Sequence, residues 1–140
     1  MKFVIYIILF LITSFALLFL EPDSGTGNGS FLSGPSGYIP KSAVDIEWHA
    51  PAFGPMYTTK FRIDEGGFRQ WAKEWKEREP GLSDVVLGNG QVFNYDSALR
   101  MVQGTIYENI YFSSYKIADR WLLIAYDPKT QFAYYNFASR

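Results

Sequence analysis

Apolar residues run almost without a break from Phe3 to Leu20, interrupted by the hydroxyl residues Thr13 and Ser14. At about 1.5 Å per residue, a helix of roughly 18 residues spans about 27 Å, close to the thickness of a thin bilayer. The pattern predicts a single transmembrane anchor over residues 1–20. Lys2 precedes the run. The positive-inside rule therefore places the N-terminus in the cytoplasm and the remaining chain in a periplasmic, luminal or extracellular space.

A cleaved signal peptide is the alternative interpretation of this segment. Small residues at the spacing of a cleavage site occur at 14–16 and at 25–27. Cleavage at the first site would leave the apolar residues 17–20 as a new terminus, and the second site lies well past the apolar run. The length of the run favours the uncleaved anchor.

Residues 21–40 are dominated by glycine, serine and proline, and we expect a flexible linker there. The glycines at 25, 27 and 29 have no predicted strand before them and no predicted helix after them, so a phosphate-binding loop is excluded. Asn28 begins an Asn-Gly-Ser sequon, which matters only in an organism that glycosylates asparagine. The remaining residues, 41–140, predict one folded extracytoplasmic domain.

Alternation of apolar and polar residues predicts two early strands, over 43–48 and 57–63. In the first, Val44, Ile46 and Trp48 share one face. A helix follows, with Asp64 as its N-cap and a stop at residues 80–81 (Pro-Gly). Its apolar stripe has helical spacing and consists of Phe68, Trp71, Ala72 and Trp75.

The last third of the chain carries the strongest strand pattern. Residues 106–117, 120–126 and 131–137 are rich in aromatic and β-branched side chains, and short polar turns separate them. Upstream, we expect a hairpin at residues 88–90 (Gly-Asn-Gly) and a short helix over 96–104. The predicted fold class is α+β, with an antiparallel sheet of about five strands and one main amphipathic helix on one face.

The composition narrows the range of functions. The chain has no cysteine, which excludes disulfides, thiolate chemistry and cysteine-linked lipids. Its net charge of −1 provides no overall attraction to nucleic acid. No sequence motif indicates a cofactor or a nucleophilic catalytic site. Aromatic residues make up 19% of the chain, and we interpret them mainly as the core that replaces disulfides in an exported domain.

A carboxylate and imidazole row is the candidate for metal binding or catalysis. Asp45, Glu47 and His49 are spaced by two, so a strand would project them from one face. Neighbouring positions of that row lie about 7 Å apart, too far to share one ion without help. His49 is the only histidine of the chain. The competing interpretation is the hydrated face of an amphipathic strand.

A tyrosine row is the candidate interaction surface. Tyr107, Tyr111 and Tyr115 recur every four residues, which places them on one face of a regular strand. They belong either to a strand covered on both sides or to a recognition surface, because tyrosine is enriched at interfaces. The last strand, with residues 134–137 (Tyr-Tyr-Asn-Phe), would offer a second binding mode if it lay at the sheet edge.

The leading hypothesis is therefore a membrane-anchored, non-catalytic module that binds a protein partner, as an inhibitor or an accessory subunit does. The second is a small-ligand-binding domain with a pocket between the Trp71/Trp75 helix and the sheet. The third is a carboxylate-based hydrolase. We expect no cofactor and no nucleic-acid partner.

Overall fold

The computed structural model describes residues 5–13, 23–27, 39–50 and 56–139 of the chain. Residues 5–13 form a helix, α1, with exposed side chains. Within these ranges no helix has both the length and the apolar character that crossing a membrane requires. The rest of the predicted anchor, residues 1–4 and 14–20, lies outside the described residues.

The described residues form one antiparallel sheet of seven strands, which are β1 Asp23–Gly27, β2 Val44–Ala50, β3 Met56–Arg62, β4 Val86–Asp96, β5 Met101–Ile117, β6 Arg120–Asp127 and β7 Phe132–Ser139. They lie in the order β1-β2-β3-β7-β6-β5-β4. The predicted α+β class is confirmed, with six strands after residue 43 instead of about five. The remaining short strand, β1, comes from the stretch predicted as a linker and pairs with β2.

Helix α2 (Glu65–Arg78) connects β3 to β4, and its ends agree with the prediction. Asp64 is the N-cap, and its Oδ1 accepts a hydrogen bond of 2.8 Å from Gly67 N. At the other end, the Glu79 N–H donates to the Trp75 carbonyl at 2.8 Å. The apolar stripe is buried as predicted, with the residues Phe68, Trp71, Ala72 and Trp75.

Helix α2 covers one face of the sheet, which we call the helix face. The contact is made by aromatic rings from three strands. The ring centroids are 5.1 Å apart for Phe61 and Trp71, 5.0 Å for Phe68 and Tyr126, and 5.3 Å for Trp75 and Tyr135. Each such ring removes a large apolar area from water, so this cluster is the main core of a chain without disulfides.

A β-bulge in β5 bends the β4–β5 end of the sheet toward the face that lies opposite the helix face. We call this opposite face the second face. Gly90 pairs with Tyr107 and Gly88 pairs with Ile110, so β5 has one more residue than β4 between these pairs. Asn109 lies in this interval with a φ of 57°. An extra residue inverts the alternation of side chains and bends the strand.

Beyond the bulge, the β4–β5 hairpin lies across the second face. Asn136 of β7 is fully buried, and its side chain pairs with the backbone of Phe93, accepting from N at 2.8 Å and donating to O at 2.7 Å. Farther along β4, Tyr95 stacks on His49 of β2 with ring centroids 3.8 Å apart. The hairpin covers a second core of Val92, Ile110, Leu123, Ala125 and Tyr134.

Two local predictions in this hairpin are wrong. Residues 96–104 form the end of β4, a turn and the start of β5 instead of a short helix. Asp96 Oδ1 accepts hydrogen bonds from Ala98 N and Leu99 N, so the polar residue that suggested a helix cap stabilises a turn. Residues 88–90 lie within β4, opposite the bulge, and the hairpin turns at 97–100.

The position of β7 excludes another hypothesis. This strand lies between β3 and β6 and pairs with both along its length. Residues 134–137 therefore have no free backbone edge for a partner strand. The last strand of the chain is central because the sheet order follows spatial packing and not chain order.

Candidate functional site

A groove of about 500 Å³ lies on the helix face, where the end of α2 meets the ends of four strands. Its volume falls in the usual range of small binding sites, roughly 300–1,000 Å³. Five of its lining residues are aromatic. The lining consists of Tyr57, Trp75, Glu79, Tyr115, Arg120, Leu122, Tyr135, Phe137 and Ser139.

The floor of this aromatic groove is one row of side chains that crosses four strands. Tyr57 of β3 pairs with Phe137 of β7, which pairs with Leu122 of β6, which pairs with Tyr115 of β5. Paired residues of antiparallel strands project to the same face, so the register alone aligns the row. Tyr57 is 41% exposed and its ring lies 6.2 Å from that of Phe137.

Helix α2 forms the wall of the groove. Trp75 is 5% exposed and packs against Tyr135, so it is part of the core. It also lines the groove. Glu79 is the first residue after the helix. Its position at the C-cap fixes a carboxylate at the rim of an otherwise aromatic surface.

The rim carries both signs of charge, from Glu79 and from Arg120 at the start of β6. Burial and the negative charge of Glu79 raise the pKa of the Tyr115 hydroxyl, and Arg120 opposes this shift. A hydrogen bond to Glu79 contributes in the same direction. Tyr115 is therefore a protonated phenol at neutral pH, which donates to the Glu79 carboxylate and presents an apolar ring to the groove.

The chemical groups of the groove are mainly aromatic. Among the described residues that line it there is no histidine, and Glu79 is the one carboxylate. Aromatic rings with a few charged groups at the rim provide contact area and orientation, as protein recognition surfaces do. The lining residues can therefore hold an extended segment or a small apolar molecule.

The three tyrosines predicted as one surface do not share a face. Tyr115 lines the aromatic groove, and Tyr111 packs on the helix face against Tyr126, with the Arg69 guanidinium 4.7 Å from its ring centroid. Tyr107 lies on the second face, where its hydroxyl accepts a hydrogen bond of 3.3 Å from Tyr134. The bulge at Asn109 separates them, because it inverts the alternation between positions 107 and 111.

The two predicted pocket tryptophans also have different environments. Trp71 is 3% exposed and packs between Phe61 and Phe68, which makes it a core residue. Trp75 lines the aromatic groove, one helical turn farther along α2. The predicted space between the helix and the sheet exists only at the Trp75 end.

The carboxylate and imidazole row has other partners in the structure. Asp45 pairs with Arg62 at 2.9 Å, and Glu47 lies 3.7 Å from Lys60. His49 is 6% exposed beneath Tyr95, and burial lowers the pKa of its imidazole. In the described ranges no three acidic or imidazole side chains converge on a position suited to a metal ion.

A second cavity, of about 540 Å³, lies on the second face near Trp121 and Phe93. The turn between β5 and β6 forms its rim, with the charged residues Lys116, Asp119 and Arg120. Trp121 and Phe93 meet edge to face at 5.7 Å, so the base of this cavity is part of the contact between the hairpin and the sheet.

Sequence reasoning missed Tyr57, Glu79, Arg120 and Phe137 as site residues. Tyr57 and Phe61 are both odd-numbered residues of β3, so the alternation of side chains along the strand predicts that they share a face. No sequence signal brings Glu79 to Arg120, since 41 positions separate them and the packing of the end of α2 against the sheet sets their distance.

Comparison of the chain with protein-family models, with curated proteins and with solved structures finds no match.

Proposed function

We propose that this chain is a membrane-anchored, non-catalytic interaction module that binds a protein partner outside the cytoplasm through the aromatic groove. The observation that carries the proposal is the partly exposed row of Tyr57, Phe137 and Tyr115 across the sheet. Aromatic side chains in a concave site, with charged groups at its rim, are typical of residues that dominate binding energy.

The apolar run from Phe3 to Leu20 supports the membrane attachment, and Lys2 supports an orientation that leaves the folded domain outside. A module held at a membrane meets partners that share this surface. The partner classes that fit are an exported enzyme, which the module inhibits, and a membrane complex, of which it is an accessory subunit.

Site-specific photocrosslinking of the full chain in its native membranes tests the proposal. A benzophenone amino acid replaces Tyr57 in one variant and Phe137 in another, and Tyr95 on the second face provides the aromatic control. A C-terminal tag needs a long spacer, because Ser139 lines the groove. We expect the same partner to crosslink from positions 57 and 137 and not from 95.

A Tyr57→Ser substitution should then weaken binding of that partner about tenfold, as loss of one anchor residue does. Tyr57 is 41% exposed, so the fold should remain intact in this variant. Crosslinks that are equally strong from position 95, or that are absent from both groove positions, would contradict the proposal.

A small apolar ligand is the second candidate, and the groove volume of about 500 Å³ favours it. Native mass spectrometry of the chain released from its membranes distinguishes the two. A bound small molecule that is lost on Tyr115→Ala substitution supports ligand binding. A ligand-free chain that still forms the crosslinks at positions 57 and 137 supports the protein partner.

A further inference from the structure

The β4–β5 hairpin has a free backbone edge on the side away from the sheet. Residues 101–107 of β5 pair with β4 only, because the pairing of β5 with β6 begins at Tyr111 and Glu108 lies in the bulge. In the part of the chain that the structure describes, no other strand pairs with this edge. We refer to residues 101–108 as the β5 edge.

The contact of Asn136 shows which backbone groups the β5 edge directs outward. Asn136 bonds to N and O of Phe93, so these groups point away from β5. Phe93 is paired with Gly104. In an antiparallel ladder, two opposite residues either both direct their N–H and C=O groups toward each other or both direct them away from each other. Gly104 therefore directs its N–H and C=O to the free edge, and Val102 and Ile106 do the same.

Most of the β5 edge lacks the features that usually prevent strand pairing. Residues 101–107 contain no charged side chain and no proline, and the charged Glu108 lies at the bulge. Met101 is 52% exposed and Ile106 is 74% exposed. Gly104 is also exposed, and a Cβ atom there would lie 3.0 Å from Phe93 Cε1. An exposed edge with these properties pairs readily with another strand.

We infer that a second copy of this chain pairs with the β5 edge, antiparallel, about a two-fold axis at Gly104. This register places Val102 opposite Ile106 of the partner copy and Met101 opposite Tyr107. It also brings Arg100, the last residue of the hairpin turn, to the level of Glu108 of the partner copy at both ends of the pairing. Apolar residues meet apolar residues, the cation meets the anion, and the glycines meet at the centre.

Neighbouring registers lose this complementarity. A centre at Gln103 would place Arg100 opposite Ile106 and Val102 opposite Gly104. A centre at Thr105 would place Val102 opposite Glu108 and Met101 opposite Asn109. Charge pairing and apolar pairing occur together only for the axis at Gly104, so the edge is self-complementary in one register.

The dimer and the aromatic groove are independent. The groove lies on the helix face, whereas the β5 edge belongs to the part of the hairpin that crosses the second face. A pair of chains joined at this edge forms a four-stranded ribbon, β4-β5-β5-β4, and leaves both grooves open. Failure of the dimer would leave the proposed partner binding untouched.

Charge reversal tests the inferred pairing in the full chain, purified in mild detergent. Arg100→Glu places a glutamate opposite Glu108 of the partner copy at both ends of the ribbon. Glu108→Arg likewise places an arginine opposite Arg100. Each single variant should weaken the dimer at least about tenfold. The double variant should recover the original dimer dissociation constant, and Lys73→Glu on the exposed side of α2 should not change it.

Analytical ultracentrifugation provides the dissociation constants. A chain that stays monomeric at all concentrations would overturn the inference, as would a dimer that is insensitive to both single variants. Weakened single variants without recovery in the double variant would also overturn it, because they would show that Arg100 and Glu108 do not face each other.

Cysteine crosslinking tests the register, since the natural chain has no cysteine. In the inferred pairing, Gln103 of one copy lies directly opposite Thr105 of the other. A mixture of Gln103→Cys and Thr105→Cys chains should form disulfides faster than either variant alone. Equal rates in all three samples would exclude this register, and a disulfide-free mixture would exclude the dimer. Pairing of the edge with a different protein in place of a second copy would also reject the inference.

Discussion

His49 illustrates how the surroundings of one residue override its sequence pattern. Its spacing from Asp45 and Glu47 suggests a metal row, but the two carboxylates pair with cations of β3 and the imidazole is enclosed beneath Tyr95. Its Nδ1 is buried and has no hydrogen-bond partner among the described residues. Such an imidazole is held neutral, because burial penalises its charged form.

Acidification should therefore destabilise the fold through His49. Burial lowers the pKa of His49 in the folded chain below the value of about 6.5 expected in the unfolded chain. Below pH 6.5 the unfolded state binds more protons, so the stability present at higher pH is lost as the pH falls toward the folded-state pKa. Urea unfolding at pH 7.5 and at pH 5.5 measures this loss.

The His49→Phe variant provides the matched control, because phenylalanine keeps a ring on Tyr95 and does not titrate. Its stability should decrease less than that of the natural chain between the two pH values. Equal decreases in both chains would assign the acid sensitivity to carboxylates instead.

At the scale of elements, regular segments follow their sequence pattern and irregular positions do not. Helix α2 forms as its cap and apolar stripe predict, because local hydrogen bonds and one buried face suffice to define it. The alternation of β5 is interrupted at Asn109, which adopts a φ of 57°. Asparagine tolerates this left-handed conformation, yet nothing in its sequence context requires it.

Two adjacent glycines in the first turn of α2 should respond in opposite ways to alanine. A Cβ atom at Gly67 would lie 2.7 Å from Ile63 Cγ1 and 2.8 Å from Asp64 Oδ1, within the N-cap. Overpacking of this kind costs roughly 1–3 kcal/mol, which outweighs the helix propensity of alanine. Gly67→Ala should lower the free energy of unfolding by about 1–2 kcal/mol.

Gly66 is the control, because a Cβ atom there meets only Asp64 Oδ2, at 4.0 Å. Gly66→Ala should raise the free energy of unfolding by about 0.5–1 kcal/mol. Chemical denaturation of the full chain compares the two variants. A stabilising Gly67→Ala would show that the N-cap geometry adjusts without cost.

At the scale of the whole molecule, the fold consists of one sheet covered on both faces, by α2 on the helix face and by the β4–β5 hairpin on the second face. Asn136 joins the hairpin to the sheet. Its buried side chain bonds to the backbone of Phe93 as a neighbouring strand would. It donates to the Phe93 carbonyl and accepts from the Phe93 N–H. An unpaired polar group at this depth is costly, so the contact is a specific anchor for the hairpin.

Removing this anchor should release the hairpin before the rest of the fold. Asn136→Ala leaves N and O of Phe93 without partners and should lower the free energy of unfolding by about 2–4 kcal/mol. Hydrogen exchange should increase in β4 and in residues 101–108 of β5, with less change in α2. Asn89→Ala, at an exposed position of β4, is the matched control. Uniform exchange across both faces would contradict local release.

Features that depend on neighbouring residues could be predicted from the sequence. These are the α+β class, the helix cap and stripe, the alternation of β3, and the strands of the last third with their turns. Each follows from a period of side chains or from a short-range hydrogen bond, which operate within a few residues. The anchor over residues 3–20 remains a prediction of the same kind. The predicted alternation of β2 is wrong at Val44, which is 45% exposed, because the strand is irregular at Asp45, with a φ of 51°.

Tertiary structure alone decided where these elements meet. The bulge separated Tyr107 from Tyr111 and Tyr115, the strand order made β7 central, and the register assembled Tyr57, Phe137 and Tyr115 into one groove. Strand pairing between distant segments is set by the total burial on both faces of the sheet, to which every strand contributes. Alternation specifies the face of each residue and does not specify its neighbour across the ladder.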